Sequence, residues 1–435
     1  MTNPSTLSPA AAGLDARLDS KTGAIVFLAF ASAYASSALV RAILATLSPV
    51  LSQEFSLQSR DLGLLAGGYF LGFAATQLPL GSWLDRYGPK RVIVCFLALA
   101  VVGCIAFSRA HSFTGLLAAR VLVGMGVSAC LMAPLTGYRR WFEAPVLLRA
   151  NSWMLMAGSL GMLASTLPVQ WLMPHTGWRA LFWMLAAMIL LSMLVIAWVV
   201  PAWSVAPLRA ASRISPDASA LKNSASHDAD AGYAQVWKNR YFQKMSPLAF
   251  FNYGGLVALQ TLWAGPWMVS VAGYTPLQAA TGLFYINAAM LVTFWLWGMV
   301  NPYLARRGWG TDRLITWGAP VSLVVLAANI WGGASTGWLG WALFCMASSV
   351  MSLSQPAVGM AFRAALAGRA MSAFNLVIFS GVFVVQWGIG LAVDGFAAAG
   401  LSQVARFQAA MGVFLCCSIA SYAYFLSVKA DNSPQ

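Results

Sequence analysis

Two arginines and one aspartate stand inside stretches that are otherwise apolar: Arg41, Arg120 and Asp394. A charge at bilayer depth costs roughly 2.5–3.5 kcal/mol on insertion scales, so each of these needs a polar cavity or a partner. The two segments that carry the arginines contain no acidic residue at a similar depth. An arriving anion is therefore a natural counter-ion for Arg41 or Arg120. Arg120 has a second reading, in which its guanidinium bonds helix carbonyls and packs helices together. Asp394, close to the end of its apolar segment, could take part in coupling to a proton or simply serve a helix end.

Neutral polar side chains repeat at helical spacing further along the chain. Tyr253, Gln260 and Trp267, with Trp263 nearby, follow one such face. Ser348, Ser352 and Gln355 form a polar stripe in a later segment, and Asn375 and Gln386 do likewise in the next. Such residues either line a pathway or bond helix to helix. The stretch from Asn252 to Trp267 also holds Gly254, Gly255, Gly265 and Pro266, which suggests a helix able to bend.

Nothing in this pattern makes or breaks covalent bonds. His111, His175 and His227 fall in separate loops without a nucleophile or metal partner by spacing. Six cysteines all lie in apolar runs, where they read as small apolar fillers. No enzyme activity, metal or cofactor is expected.

The elements that position these residues follow from composition. Of 435 residues, 60% are hydrophobic and 9% charged, with a mean hydropathy of +0.71, which marks a membrane protein. A hydrocarbon core about 30 Å thick needs roughly 20 apolar residues per helical crossing. Spans are predicted at 24–52, 62–84, 92–108, 115–137, 150–172, 180–203, 246–271, 278–300, 314–333, 338–362, 371–395 and 404–427. The first run is much longer than a signal-peptide core and is expected to be retained as a spanning helix. The predicted organisation is a cytoplasmic tail over 1–23, a six-helix bundle over 24–203, a cytoplasmic linker over 204–245, a second bundle over 246–427 and a tail over 428–435.

The net charge of +14 could suit a nucleic-acid binder, but the cations sit in short clusters between apolar runs rather than on one continuous face. Topology accounts for them better. With the N-terminus in the cytoplasm, twenty of the 26 Lys and Arg lie on the inner side, and only Arg60, Arg109, Arg179 and Arg406 on the outer. The positive-inside rule then places both termini in the cytoplasm.

The chain also matches itself at an offset near 220. Leu84-Asp85-Arg86-Tyr87-Gly88 meets Leu304-Ala305-Arg306-Arg307-Gly308, Arg149-Ala150-Asn151-Ser152 meets Arg369-Ala370-Met371-Ser372, and Val169-Gln170-Trp171 meets Val385-Gln386-Trp387. At this offset Gln260 corresponds to Arg41. Two repeated halves of six spans are the expected architecture.

Between the second and third spans stands Gly81-Ser82-Trp83-Leu84-Asp85-Arg86-Tyr87-Gly88-Pro89-Lys90-Arg91. This resembles the signature loop of the major facilitator superfamily in both residues and position. Trp83, Leu84 and Pro89 depart from the usual pattern and leave its core intact. Arg120-Val121-Leu122-Val123-Gly124-Met125-Gly126 is similar to the family's R-x-x-x-G-x-G element, and Gly177-Trp178-Arg179-Ala180-Leu181-Phe182 to its common entry to span six.

The resemblance implies an all-α fold of twelve transmembrane helices in two pseudo-symmetric bundles, with spans one, four, seven and ten around a central cavity. It implies that Gly81, Asp85, Arg86, Gly88, Lys90 and Arg91 form a conformational latch on the cytoplasmic side, with Asp85 suited to a helix N-terminus or an arginine. Ala305 stands where the first half has Asp85, so a weaker latch is expected in the second half.

The function expected is secondary active transport of a small solute, an organic anion such as a carboxylate, across the bacterial inner membrane by rocker-switch alternating access. Its substrate-binding residues would be Arg41, Arg120, Tyr253, Gln260, Trp263, Ser352, Gln355 and Asn375, with Asp394 as the candidate for coupling. The expected partners are the small-molecule substrate, the lipid bilayer and a coupling proton or sodium ion. No nucleic acid is expected, and the chain reads as a monomer. Proton-coupled efflux is the alternative, although the fifth span lacks the Gly-Pro pair usual in drug antiporters. A transporter-like sensor is a further one.

Overall fold

In the computed structural model, residues 18–202 and 232–429 are described. They are almost entirely helical, as an apolar solvent requires, because a helix satisfies its backbone polar groups within itself. We label twelve helices in chain order. In the first half these are α1 (Ser20–Phe55), α2 (59–87), α3 (89–108), α4 (Phe113–Trp141), α5 (144–176) and α6 (178–199). In the second they are α7 (240–270), α8 (Pro276–Arg306), α9 (Thr311–Gly332), α10 (Trp338–Met360), α11 (Ala364–Ala398) and α12 (Gln403–Ser427). Among the described residues, nine helices are long and apolar enough to cross a membrane by themselves, consistent with the twelve predicted. Most of the linker expected over 204–245 lies outside the described residues, and its end is helical over 232–238.

Local chemistry sets the breaks. Asp19 caps α1, accepting the Thr22 backbone N–H at 3.3 Å, and hydrogen bonds from Thr22 hold its carboxyl below the ordinary carboxylate range. Gly88 (φ 78°) separates α2 from α3, and Gly177 (φ 72°) separates α5 from α6. Gly308 (φ 77°) and Gly400 (φ 85°) supply the same left-handed backbone near the repeat offset in the second half. The repeat is thus visible in backbone conformation as well as in sequence.

Within the first half α1 packs on α5 and α6, α2 on α4, and α3 on α4 and α6. The paired glycines of α4 make this possible. A side chain at Gly124 would run into the Tyr69 carbonyl of α2, and one at Gly126 into the Ala100 backbone of α3. Trp178 and Arg179 bind α6 back to α1, because Glu54 accepts from Trp178 Nε1 at 2.6 Å and pairs with Arg179 at 2.6 Å. In the second half Asp312 of α9 pairs with Lys244 of α7 at 2.6 Å and accepts from the Tyr241 hydroxyl. The halves meet along α2 with α11, α1 with α7, and α5 with α8. One end of the molecule carries Ser20 and Gly88; the other, the distal end, carries Glu54, Ser59 and Asp394.

Candidate functional site

Arg41 lies in the middle third of α1 at the seam between halves. Its side chain is half-buried, and its Nε has no hydrogen-bond partner among the described residues. Tyr34, two turns earlier on the same face of α1, is within hydrogen-bonding reach, and Tyr69 of α2 and Tyr253 of α7 are close enough for their hydroxyls to interact with its charge. Tyr69 is fully buried, and Ser37 of α1 lies within hydrogen-bonding reach of its hydroxyl. Tyr253 reaches the cluster from the second half because α7 is not a regular helix there. It widens into π-turns at Ala249–Tyr253 and Leu259–Trp263, a distortion that re-aims side chains and is frequent at functional sites.

Arg120 is held differently. It is fully buried; Nη1 donates to the Val40 carbonyl at 2.9 Å, and the guanidinium lies over the Tyr69 ring, 5.1 Å from its centre. Nε and Nη2 have no hydrogen-bond partner among the described residues. The helix carbonyl it grips belongs to the residue before Arg41, so Arg120 fixes the backbone that presents Arg41 and the ring beside it. No carboxylate pairs with either arginine among the described residues.

The neutral candidates divide into groups. Gln260 donates to Asn287 Oδ1 at 2.9 Å, Trp263 Nε1 donates to the Gln386 carbonyl at 3.0 Å, and Gln386 Nε2 donates to Thr261 Oγ1 at 3.0 Å. Trp267 Nε1 donates to the Thr336 carbonyl at 3.2 Å. These are bonds within the second half. Gln355 donates to Asn375 Oδ1 at 2.5 Å, and Asn375 in turn reaches Gln77 Oε1 at 3.4 Å, which joins α10 and α11 to α2 across the seam. Ser352 lies in a 3₁₀ turn of α10 and donates to Ser349 of its own helix at 2.7 Å.

Asp394 is at the distal end, where Oδ1 accepts the Ser59 N–H at 3.2 Å and Oδ2 the Arg60 N–H at 2.7 Å. At the opposite end, a side chain at Gly81 of the signature loop would touch Ser372 Oγ of α11 at 3.8 Å. Arg86 stacks on Tyr87 at 5.2 Å. Lys90 and Arg91 face a shallow pocket against Ala197 and Ala202. The Asp85 side chain lies outside the described residues.

Two residues of the Arg41 cluster were not picked out from sequence. Tyr34 carries a usable signal, the seven-residue spacing that puts it on Arg41's face. Tyr69 carries none, since only the packing of α2 on α4 brings it near.

The chain matches the family model described as Major Facilitator Superfamily over residues 27–386. Among characterised proteins it is 29% identical over 153 residues to the galacturonate transporter of Dickeya chrysanthemi, covering 35% of this chain and 44% of that protein. It is 28% identical over 145 residues to the niacin transporter NiaP of Acinetobacter baylyi, covering 33% of each, and 27% identical over 144 residues to the hexuronate transporter of Escherichia coli, again 33% of each. The alignments thus span a third to less than half of these relatives. Among solved structures, a D-xylose-proton symporter superposes with a TM-score of 0.74 at 14% identity, over 94% of this chain and 98% of that one. A bacterial homologue of the human lysosomal transporter Spinster, inward-facing and unoccupied, gives 0.73 at 16%, over 94% and 97%. With its helices repeated in two halves, a signature loop that keeps its core and a family match across most of its length, this multi-pass membrane chain belongs to the major facilitator superfamily.

Proposed function

We propose that the chain carries a small organic anion, bound through a carboxylate, across the bacterial inner membrane by alternating access around Arg41. One observation carries the reading: a guanidinium at bilayer depth, on the seam between halves, faces three tyrosines and no acidic residue among those described. The cost of a charge there falls when a counter-ion arrives, and the cargo is the available one. Tyr253 contributes from the opposite half, so an anion held by Arg41 and Tyr253 couples its own binding to the relative position of the bundles. Arg120 acts as a brace for α1 rather than as a ligand.

The relatives support the chemistry, since galacturonate and hexuronate are carboxylates by name. The excess of Lys and Arg at the end that carries Ser20 and the signature loop makes that end cytoplasmic. Uptake into proteoliposomes, with carboxylates beside neutral and cationic solutes, tests the proposal. Arg41→Gln should abolish carboxylate uptake while leaving the protein folded. Uptake indifferent to the charge of the solute sinks it, and preferential movement of cations would favour efflux of another class of cargo.

A further inference from the structure

Resting on the carboxylate reading of the Arg41 site, we infer that the cargo is a monocarboxylate with a flat, uncharged, aromatic body. Three features of the seam lead there.

The first is the number of available cations. Among the described residues at the seam, Arg41 is the partly exposed guanidinium that no carboxylate pairs with. Arg120 is sealed behind Tyr69 and the Val40 carbonyl with no exposed surface, so it adds positive potential without presenting a contact. Lys244, also buried, is paired with Asp312. A second carboxylate on the cargo would sit at bilayer depth among neutral groups, with no cation there to meet it. The site therefore selects against dianions.

The second is the supply of neutral hydrogen bonds. One amide N–H of each of Gln260, Gln355 and Gln386 is taken by Asn287, Asn375 and Thr261, and the indole N–H groups of Trp263 and Trp267 by backbone carbonyls. A polyhydroxylated acid has to compete with these pairs for donors, and every hydroxyl it buries unmet weakens its binding. Around Arg41 the neutral groups close enough to act with it are the hydroxyls of Tyr34, Tyr69 and Tyr253, and one of them suffices for the second oxygen of a single carboxylate.

The third is the wall itself. From Tyr69 an aromatic surface continues through Phe73 to Phe379 of α11, with ring centres 6.2 Å and then 4.3 Å apart. Phe73 and Phe379 are half-buried, on the faces of their helices turned away from the exposed Leu71 and Gly388. A flat ring whose carboxylate meets Arg41 can lie against this surface in offset or edge-to-face geometry.

The test uses the purified full-length protein and four probes: benzoate, its neutral isostere benzamide, the dianion terephthalate, and the polyhydroxylated monocarboxylate glucuronate. Binding is read by calorimetry and by competition in counterflow. Benzoate should bind at least ten-fold more tightly than each of the others. Arg41→Gln should remove that preference; Arg41→Lys should keep part of it, and unchanged melting of both variants excludes misfolding. Tighter binding of glucuronate or terephthalate, or no binding of benzoate at millimolar concentration, overturns the aromatic monocarboxylate and leaves a carboxylate cargo standing. Equal binding of benzamide and benzoate overturns both.

Discussion

Replacing Asp394 should shift the balance between the conformations of the transporter. The first N–H groups of any helix lack intrahelical acceptors, and those of α2 are met by a carboxylate from the other half of the molecule: Asp394 of α11 takes the Ser59 N–H at 3.2 Å and the Arg60 N–H at 2.7 Å. This contact exists only while the distal ends of the halves are together. A side-chain cap contributes about 1 kcal/mol, and a carboxylate at the positive end of a helix adds about 0.3–1 kcal/mol. The closed distal end is therefore favoured by about 1–2 kcal/mol through this residue, a factor of roughly 5–30 in the ratio of closed to open. Asp394→Ala should lose all of it and Asp394→Asn the charged part.

The readout is a distance distribution between spin labels at His111→Cys, in the α3–α4 loop, and Leu401→Cys, in the α11–α12 loop. Both are exposed, and the background would lack Cys95, Cys416 and Cys417. A longer-distance population should grow several-fold in Asp394→Ala and less in Asp394→Asn. If both distributions match that of the parent, the cap does not hold the distal end and the reasoning fails.

Close packing beside this cap predicts a complementary effect: Gly390→Leu would drive a side chain into the Ser59 carbonyl, so the same label pair should report an open distal end and net uptake should fall. Arg120→Gln should lower stability by about 1.5–3 kcal/mol, the worth of a buried hydrogen bond from a charged donor, seen as a lower melting temperature that Arg120→Lys partly restores. Arg179→Ala should cost less than about 1 kcal/mol despite the 2.6 Å bond to Glu54, because both partners are more than a third exposed, and added salt should shrink the difference further.

Much of the fold is legible in the chain because a membrane imposes a simple rule, and apolar length with charged punctuation marks the helices. The signature loop locates the turn at Gly88, and the repeat anticipates Gly308. The site is less legible. Arg41 stands out because a lone charge in an apolar run demands an explanation, whereas Gln260 and Trp263 look equally open in sequence, and only three dimensions reveal that their donors are already taken by Asn287 and the Gln386 carbonyl. Spacing along one helix finds Tyr34. It cannot find Tyr69, which reaches Arg41 through the packing of α2 against the glycines of α4.

The pairing of α2 with α11 suggests why a transporter with few membrane carboxylates keeps them where it does. These two helices run side by side across the seam. Asp394, near the end of α11, meets the start of α2. Asp85 stands near the end of α2, in the stretch where Gly81 faces Ser372 in the opening turns of α11. Each of the two helices thus has an acid near its end in the sequence, and a carboxylate in such a place suits the positive end of a neighbouring helix. If the halves rock about Arg41 as proposed, one of these ends separates as the other closes. Removing the acid at one end therefore biases the protein toward opening there, and removing the acid at the other end biases it oppositely. A double replacement of Asp85 and Asp394 should accordingly return the label distances toward those of the parent, while single replacements move them apart. If the two replacements instead displace the distances in the same direction, the acids do not act as opposed clamps.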